Sequence, residues 1–156
     1  MFSEENIKKI EDLKKRYPTT TALTLPVLWM AQDQFGWISA EVMKYVAELL
    51  AVPVGHVLGV VTFYTMFNRK PIGRYHMQVC TNVSCQLRGA EKVLDHVCDR
   101  LGVRVGETTK DRRFTVSEVE CLGSCGTAPM MQLNDEYHEN LSPESLDRLI
   151  NDLSRG

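Results

Sequence analysis

Apolar residues recur at helical spacing in the first part of the chain and alternate with polar ones beyond it. Ile7, Ile10 and Leu13 follow Ser3, Glu4 and Glu5. This spacing predicts a helix capped by Ser3, favoured by two acids at its positive end and closed by Pro18. A second helix is expected from the Thr19–Thr21 cluster to Phe35, ending at Gly36. Its apolar face is Leu23, Val27, Met30 and Ala31, with Pro26 near its first turns. Ser39 caps a third helix carrying Val42, Met43, Val46, Leu49 and Leu50. Pro53 suits the first turn of a short fourth helix, which Gly59 weakens. Residues 60–67, VVTFYTMF, are β-branched and aromatic and read as extended.

Pro71 and Gly73 punctuate a change of texture within NRKPIG, residues 68–73. The chain therefore reads as a helical domain over 1–70 and a second domain over 71–156. Tyr75, Met77 and Val79 share one side of a strand running into Cys80. Leu87, Ala90, Val93, Leu94, Val97 and Leu101 trace one helix stripe ended by Gly102. A weak strand at Val103–Val105 and a stronger one at Phe114–Val119 lead to Cys121. Met130–Leu133 then turns at Asn134–Asp135–Glu136 into a short strand near Tyr137. Ser142 caps a last helix, with Pro143 at its first position and Leu146, Leu149, Ile150 and Leu153 inward. A strand–helix–strand crossover, then a hairpin and a covering helix, gives an α/β sandwich of thioredoxin type. The fold class expected is α+β: an N-terminal helical bundle followed by that sandwich. No internal repeat or low-complexity segment is present.

Composition changes this picture little. Of 156 residues, 44% are hydrophobic and 24% charged, an ordinary globular balance. Eighteen basic and twenty acidic residues leave a net charge of −2, so no overall basic excess draws the chain to nucleic acid or anionic membranes. The N-terminal helices carry little positive charge after residue 16, which argues against a helix-turn-helix DNA reader. No apolar run approaches the roughly 20 residues needed to span a bilayer, so direct membrane insertion is not expected. The first residues lack an apolar signal core and are too acidic for a mitochondrial transit peptide. A cytosolic chain, or one in the matrix after processing, is expected. In such a reducing compartment clustered cysteines suggest metal or redox work.

Four of the five cysteines form two pairs, Cys80-x4-Cys85 and Cys121-x3-Cys125, each where a strand ends and the chain turns. If those strands are neighbours, both loops lie at one end of the sheet and four thiolates can converge. Gly123 and Gly126 let backbone approach sulfur, and a helix beginning near Ser84 points its positive end the same way. Thr81, Ser84 and Ser124 offer hydroxyl donors that would raise a cluster's potential, while Glu120 would oppose them. Zinc also accepts four cysteines, but its sites favour shorter gaps, and Cys-x4-Cys occurs in 2Fe–2S ferredoxins. Thiol redox chemistry would favour Cys-x-x-Cys, which is absent. Spacing favours an iron–sulfur cluster and leaves a structural zinc module open. Cys98 lies on the helix stripe a turn after Leu94 and reads as a buried core thiol.

CTNVSCQLRGAEKVL (80–94), GETTKDRRFTVSEVECLGSCGTAP (106–129) and VVTFYTMFNRKPIG (60–73) resemble the small thioredoxin-like 2Fe–2S subunits of NADH:quinone oxidoreductase, respiratory complex I. In that family the subunit is part of the NADH-dehydrogenase module, and the resemblance covers nearly the whole chain. It implies that Cys80, Cys85, Cys121 and Cys125 ligate one 2Fe–2S cluster. It also implies a one-electron carrier with no catalytic site of its own. FMN and NADH are then expected on a partner, the flavin- and NADH-binding subunit of the same complex, with other peripheral-arm subunits nearby. The implied location is the inner face of the cell membrane, held there through the complex, or the matrix side in a mitochondrion. The cluster is implied to sit beside the flavin, holding one electron briefly. The same resemblance extends to equivalent subunits of NAD-linked hydrogenases and formate dehydrogenases. One departure is Met130 followed by Met131, where the family commonly has a branched aliphatic after Ala128–Pro129; Met130 would repack the wall behind the Cys125 loop.

The chain has no G-x-G-x-x-G or Walker loop, which places NADH binding on the partner. His56, His76, His96 and His138 show no metal spacing; His76 reads as structural, and His96 has no evident partner. Phe63, Tyr64, Met66 and Phe67 read equally as core or as an interface anchor.

Overall fold

The computed structural model describes residues 1–155. They form two compact units, Met1–Pro71 and one from Ile72 onward. No helix among the described residues is long and apolar enough to cross a membrane.

The first unit is helical. Ser3 caps α1 (Glu4–Lys14), its hydroxyl accepting from the Asn6 N–H at 3.2 Å, and Ile10 is fully buried. Helix α2 (Thr24–Phe35) begins later than the threonine cluster suggested, because Thr20–Leu23 forms a 3-10 turn. Pro26 has no N–H to donate, so it fits only within a helix's first turn, and regular helix starts just before it. Gly36, at φ +80°, ends α2. Ser39 caps α3 (Ala40–Leu50) through the Val42 N–H.

Helix α4 (Val54–Phe63) corrects the extended reading of residues 60–67. Val57 and Val61 lie a turn apart and are both buried, and that burial overrides weak helix propensity. The backbone becomes extended only at Tyr64. The aromatic patch accordingly divides: Phe67 joins the core, whereas Phe63 is 77% exposed.

The second unit has the sheet order β2-β1-β3-β4. Strand β1 (Tyr75–Cys80) is central, parallel to β2 (Phe114–Val119) and antiparallel to β3 (Met131–Leu133), which pairs antiparallel with β4 (Glu136–His138). Helix α5 (Val83–Leu87) follows β1. Met77, Val79, Phe114, Val116, Met131 and Leu133 form a core with α6 (Ala90–Leu101) and α7 (Pro143–Arg155). Gly73 marks a close approach: an added Cβ would lie 2.8 Å from the backbone of Arg113 and Phe114. The expected α+β class, helices first and an α/β sandwich after, is what the chain adopts.

Two local readings fail here. Leu87 does not belong to the α6 stripe; it ends α5 and is 83% exposed. Gly89 at φ +90° breaks the helix between them. Val103–Val105 is not a strand, because Gly102 ends α6 with a left-handed residue and the Val103 N–H turns back to the Cys98 carbonyl. Pairing beside β2 comes from residues 106–109 instead, through Gly106 N–H to Val116 O and Thr109 N–H to Phe114 O.

Candidate metal centre

Strand β1 delivers Cys80, and the parallel register sets Val119 beside it. Cys121 follows two residues later, so both cysteine loops leave the same end of the sheet. Cys80 is fixed through its backbone: its N–H donates to Met130 O, and the next N–H, of Thr81, donates to Val119 O, each at 3.1 Å. Asn82 then caps α5, its side chain accepting from the Val83 N–H at 2.7 Å. The short helix turns Cys85 inward, where Cys80, Cys85, Ala90, Ala128 and Met130 form a small buried cluster with Leu122 against it.

The second pair is built differently. Cys121 lies in irregular chain, and Cys125 opens a 3-10 turn, Cys125–Thr127; both are exposed, whereas Cys80 and Cys85 are 3% and 2% exposed. Gly123 adopts φ +80°, a conformation only glycine takes without strain. The loop is tied down from β4: the Tyr137 hydroxyl donates to Leu122 O at 2.8 Å, and the Glu139 carboxylate accepts from Ser124 and Thr127.

No two of the five cysteines are joined in a disulfide. Burial pushes the Cys85 thiol up to about 11, reinforced by its hydrogen bond with Cys80 and by charge on Cys80 and Cys125; the Met130 backbone N–H works the other way. These three cysteines therefore lie within mutual influence. Ionising both buried sulfurs needs a countercharge, which two ferric ions would supply when bound. A binuclear cluster asks only two thiolates of each iron, and this donor set fits it.

The description of the thioredoxin-like [2Fe-2S] ferredoxin family matches residues 10–154. The chain belongs to this family. Among curated relatives, an NADH-quinone oxidoreductase E subunit of Rhizobium meliloti is 46% identical over 143 residues, 92% of this chain and 85% of its own. The corresponding E subunit of Rickettsia conorii is 43% identical over 155 residues, 97% of this chain and 93% of its own. Among solved structures, an NAD+-reducing [NiFe]-hydrogenase in the air-oxidized state superposes with a TM-score of 0.75 at 22% identity. That match covers 85% of this chain and 23% of the hydrogenase chain, and it bears on the fold.

Within this thioredoxin-like ferredoxin several expectations shift. The hydroxyls of Thr81 and Ser124 are already committed, Thr81 donating to Glu118 at 2.8 Å and Ser124 to Glu139. Met130 is fully buried in the cluster with Cys80 and Cys85, so it walls the buried pair. Cys98 is only partly buried, packed against the α6–α7 core, where burial first, then Asp95 and Asp99, raise its thiol pKa. His76 is structural, its Nε2 2.8 Å from Ser117 Oγ. His96 does have a partner: its Nε2 lies 3.0 Å from Asp147 on α7. Sequence reading missed Tyr137 and Glu139. Neither shows periodicity or ligand spacing, and only the return of β4 beside the loop reveals them.

Proposed function

We propose that Cys80, Cys85, Cys121 and Cys125 hold one 2Fe–2S cluster. On this reading the chain is the one-electron carrier of an NADH:quinone oxidoreductase, exchanging electrons with the FMN of an NADH-binding partner in the same complex. The observation that carries the reading is identity of 42–46% to NADH-quinone oxidoreductase relatives across at least 92% of this chain. The hydrogenase likeness, at 22% identity, gives no comparable support for a hydrogenase assembly.

When bound, the cluster supplies a one-electron redox centre. The chain's own residues divide the remaining work. Cys80 and Cys85, in their apolar cluster, keep water from one side of the site. Cys121 and Cys125 lie at the surface, where a partner's carrier can come close. Such a protein belongs at the inner face of the membrane, held there through its complex.

Anaerobic purification tests this. The expected product is red-brown, with about two iron and two sulfide per chain, bleached by dithionite with a one-electron paramagnetic signal. A colourless protein with one zinc would overturn it. Co-purification of a flavoprotein with an NADH site is the expected result for the partner.

A further inference from the structure

Glu139 follows β4 directly and does something no other carboxylate among the described residues does. Its Oε1 accepts from the Ser124 hydroxyl and, at 2.5 Å, from the Thr127 hydroxyl, and those two oxygens lie 2.8 Å apart. Ser124 immediately precedes Cys125 and Thr127 stands two residues after it, so the carboxylate brackets that cysteine from both sides. The strap continues along the loop, with Asn140 N–H donating to Thr127 O at 2.8 Å and Leu141 N–H to Pro129 O at 2.9 Å. Both hydroxyl bonds hold the carboxyl below its usual range, so it is an anion at neutral pH.

Hydroxyls beside a sulfur-ligated anion are natural donors to sulfur, and such donors raise its reduction potential. Glu139 takes both and adds a negative charge of its own. The two effects act in the same direction.

We infer that Glu139 is a positioning residue: it fixes the Cys125 side of the cluster site and keeps the potential low by engaging the Ser124 and Thr127 hydroxyls. This rests on Cys125 being a ligand, as proposed above.

The test uses the anaerobically purified full chain, comparing wild type with Glu139→Gln, Glu139→Ala, the Ser124→Ala/Thr127→Val pair, and that pair combined with Glu139→Ala. Redox titration, iron release to a chelator and the paramagnetic spectrum are read on each. Poised at the wild-type midpoint, Glu139→Ala is expected to raise the reduced-to-oxidised ratio about tenfold, which for one electron corresponds to about 59 mV. It should also release iron several-fold faster. Glu139→Gln keeps an acceptor oxygen, so it should release iron near the wild-type rate while shifting the ratio less. It also carries the measurement if the alanine variant fails to assemble. Without the two hydroxyls, Glu139→Ala should move the ratio less than about threefold, since only charge is then lost. An unchanged ratio and iron release in both Glu139 variants would overturn the inference. So would an equal shift with and without the hydroxyls, which would leave only a remote charge effect. Wild-type protein without iron and sulfide would overturn the ligand reading and this inference together.

Discussion

The two cysteine loops leave the same end of one sheet but are held by opposite means. Cys80 and Cys85 are buried, fixed by ladder hydrogen bonds and a capped helical turn, with an apolar wall behind them. Cys121 and Cys125 are exposed on irregular chain, kept in place by Tyr137 and Glu139. One side of the site is thus made by the fold itself, and the other by side-chain tethers attached afterwards. Burial gives the first side rigidity and disfavours the ionised form of Cys85; exposure gives the second access to partners.

That contrast can be broken in graded ways. Cys80→Ser and Cys85→Ser should abolish the cluster, with iron per chain falling at least about tenfold, since a buried hydroxyl ionises far less readily than a thiol. Cys121→Ser and Cys125→Ser should retain more, because the exposed loop can shift or admit water; equal loss at all four positions would end the distinction. In cluster-free protein at about pH 8, Cys85 should alkylate about a hundredfold more slowly than a free cysteine. Its thiol is raised to about 11 from the ordinary 9.0, and thiolate is the reactive form. Its rate should keep climbing with pH towards 11, as a pH series of labelling followed by mass spectrometry would show.

Stability separates the loops further. Met130→Ala removes a fully buried side chain behind the Cys80–Cys85 pair and should cost about 2–5 kcal/mol in denaturant unfolding. Tyr137→Phe removes only the hydroxyl tether to Leu122 and should cost about 1 kcal/mol while loosening iron retention on the exposed side. Cys98→Ser, outside both loops, should leave iron, sulfide and spectrum unchanged. A changed spectrum there would bring Cys98 into the site.

What could be read in advance follows from how local each signal is. Ser3, Ser39 and Gly36 act through bonds within a few residues, and each stands at the helix end where its chemistry placed it. The alternation through Tyr75–Val79 marked β1 for the same reason. Val60–Phe63 misled because its residue types favour strands, and only burial of Val57 and Val61 keeps it helical. Leu87 misled because its spacing fits the α6 stripe, yet Gly89 intervenes in a left-handed conformation. Spacing picked out both cysteine pairs, but it held no information on their tethers. Tyr137–Leu122 and Glu139–Ser124 join residues 15 apart through an intervening hairpin, and His96 meets Asp147 from 51 residues away.

The central position of β1 has a consequence in time. Paired on both sides, its amides can exchange with solvent only when the whole sheet opens, so the backbone behind Cys80 should be among the last in the chain to exchange. Residues 121–127 have no strand partner and should open locally far more often. On the proposed ligation, loss of the inorganic core should therefore begin at the shallow pair, where the chain opens most often.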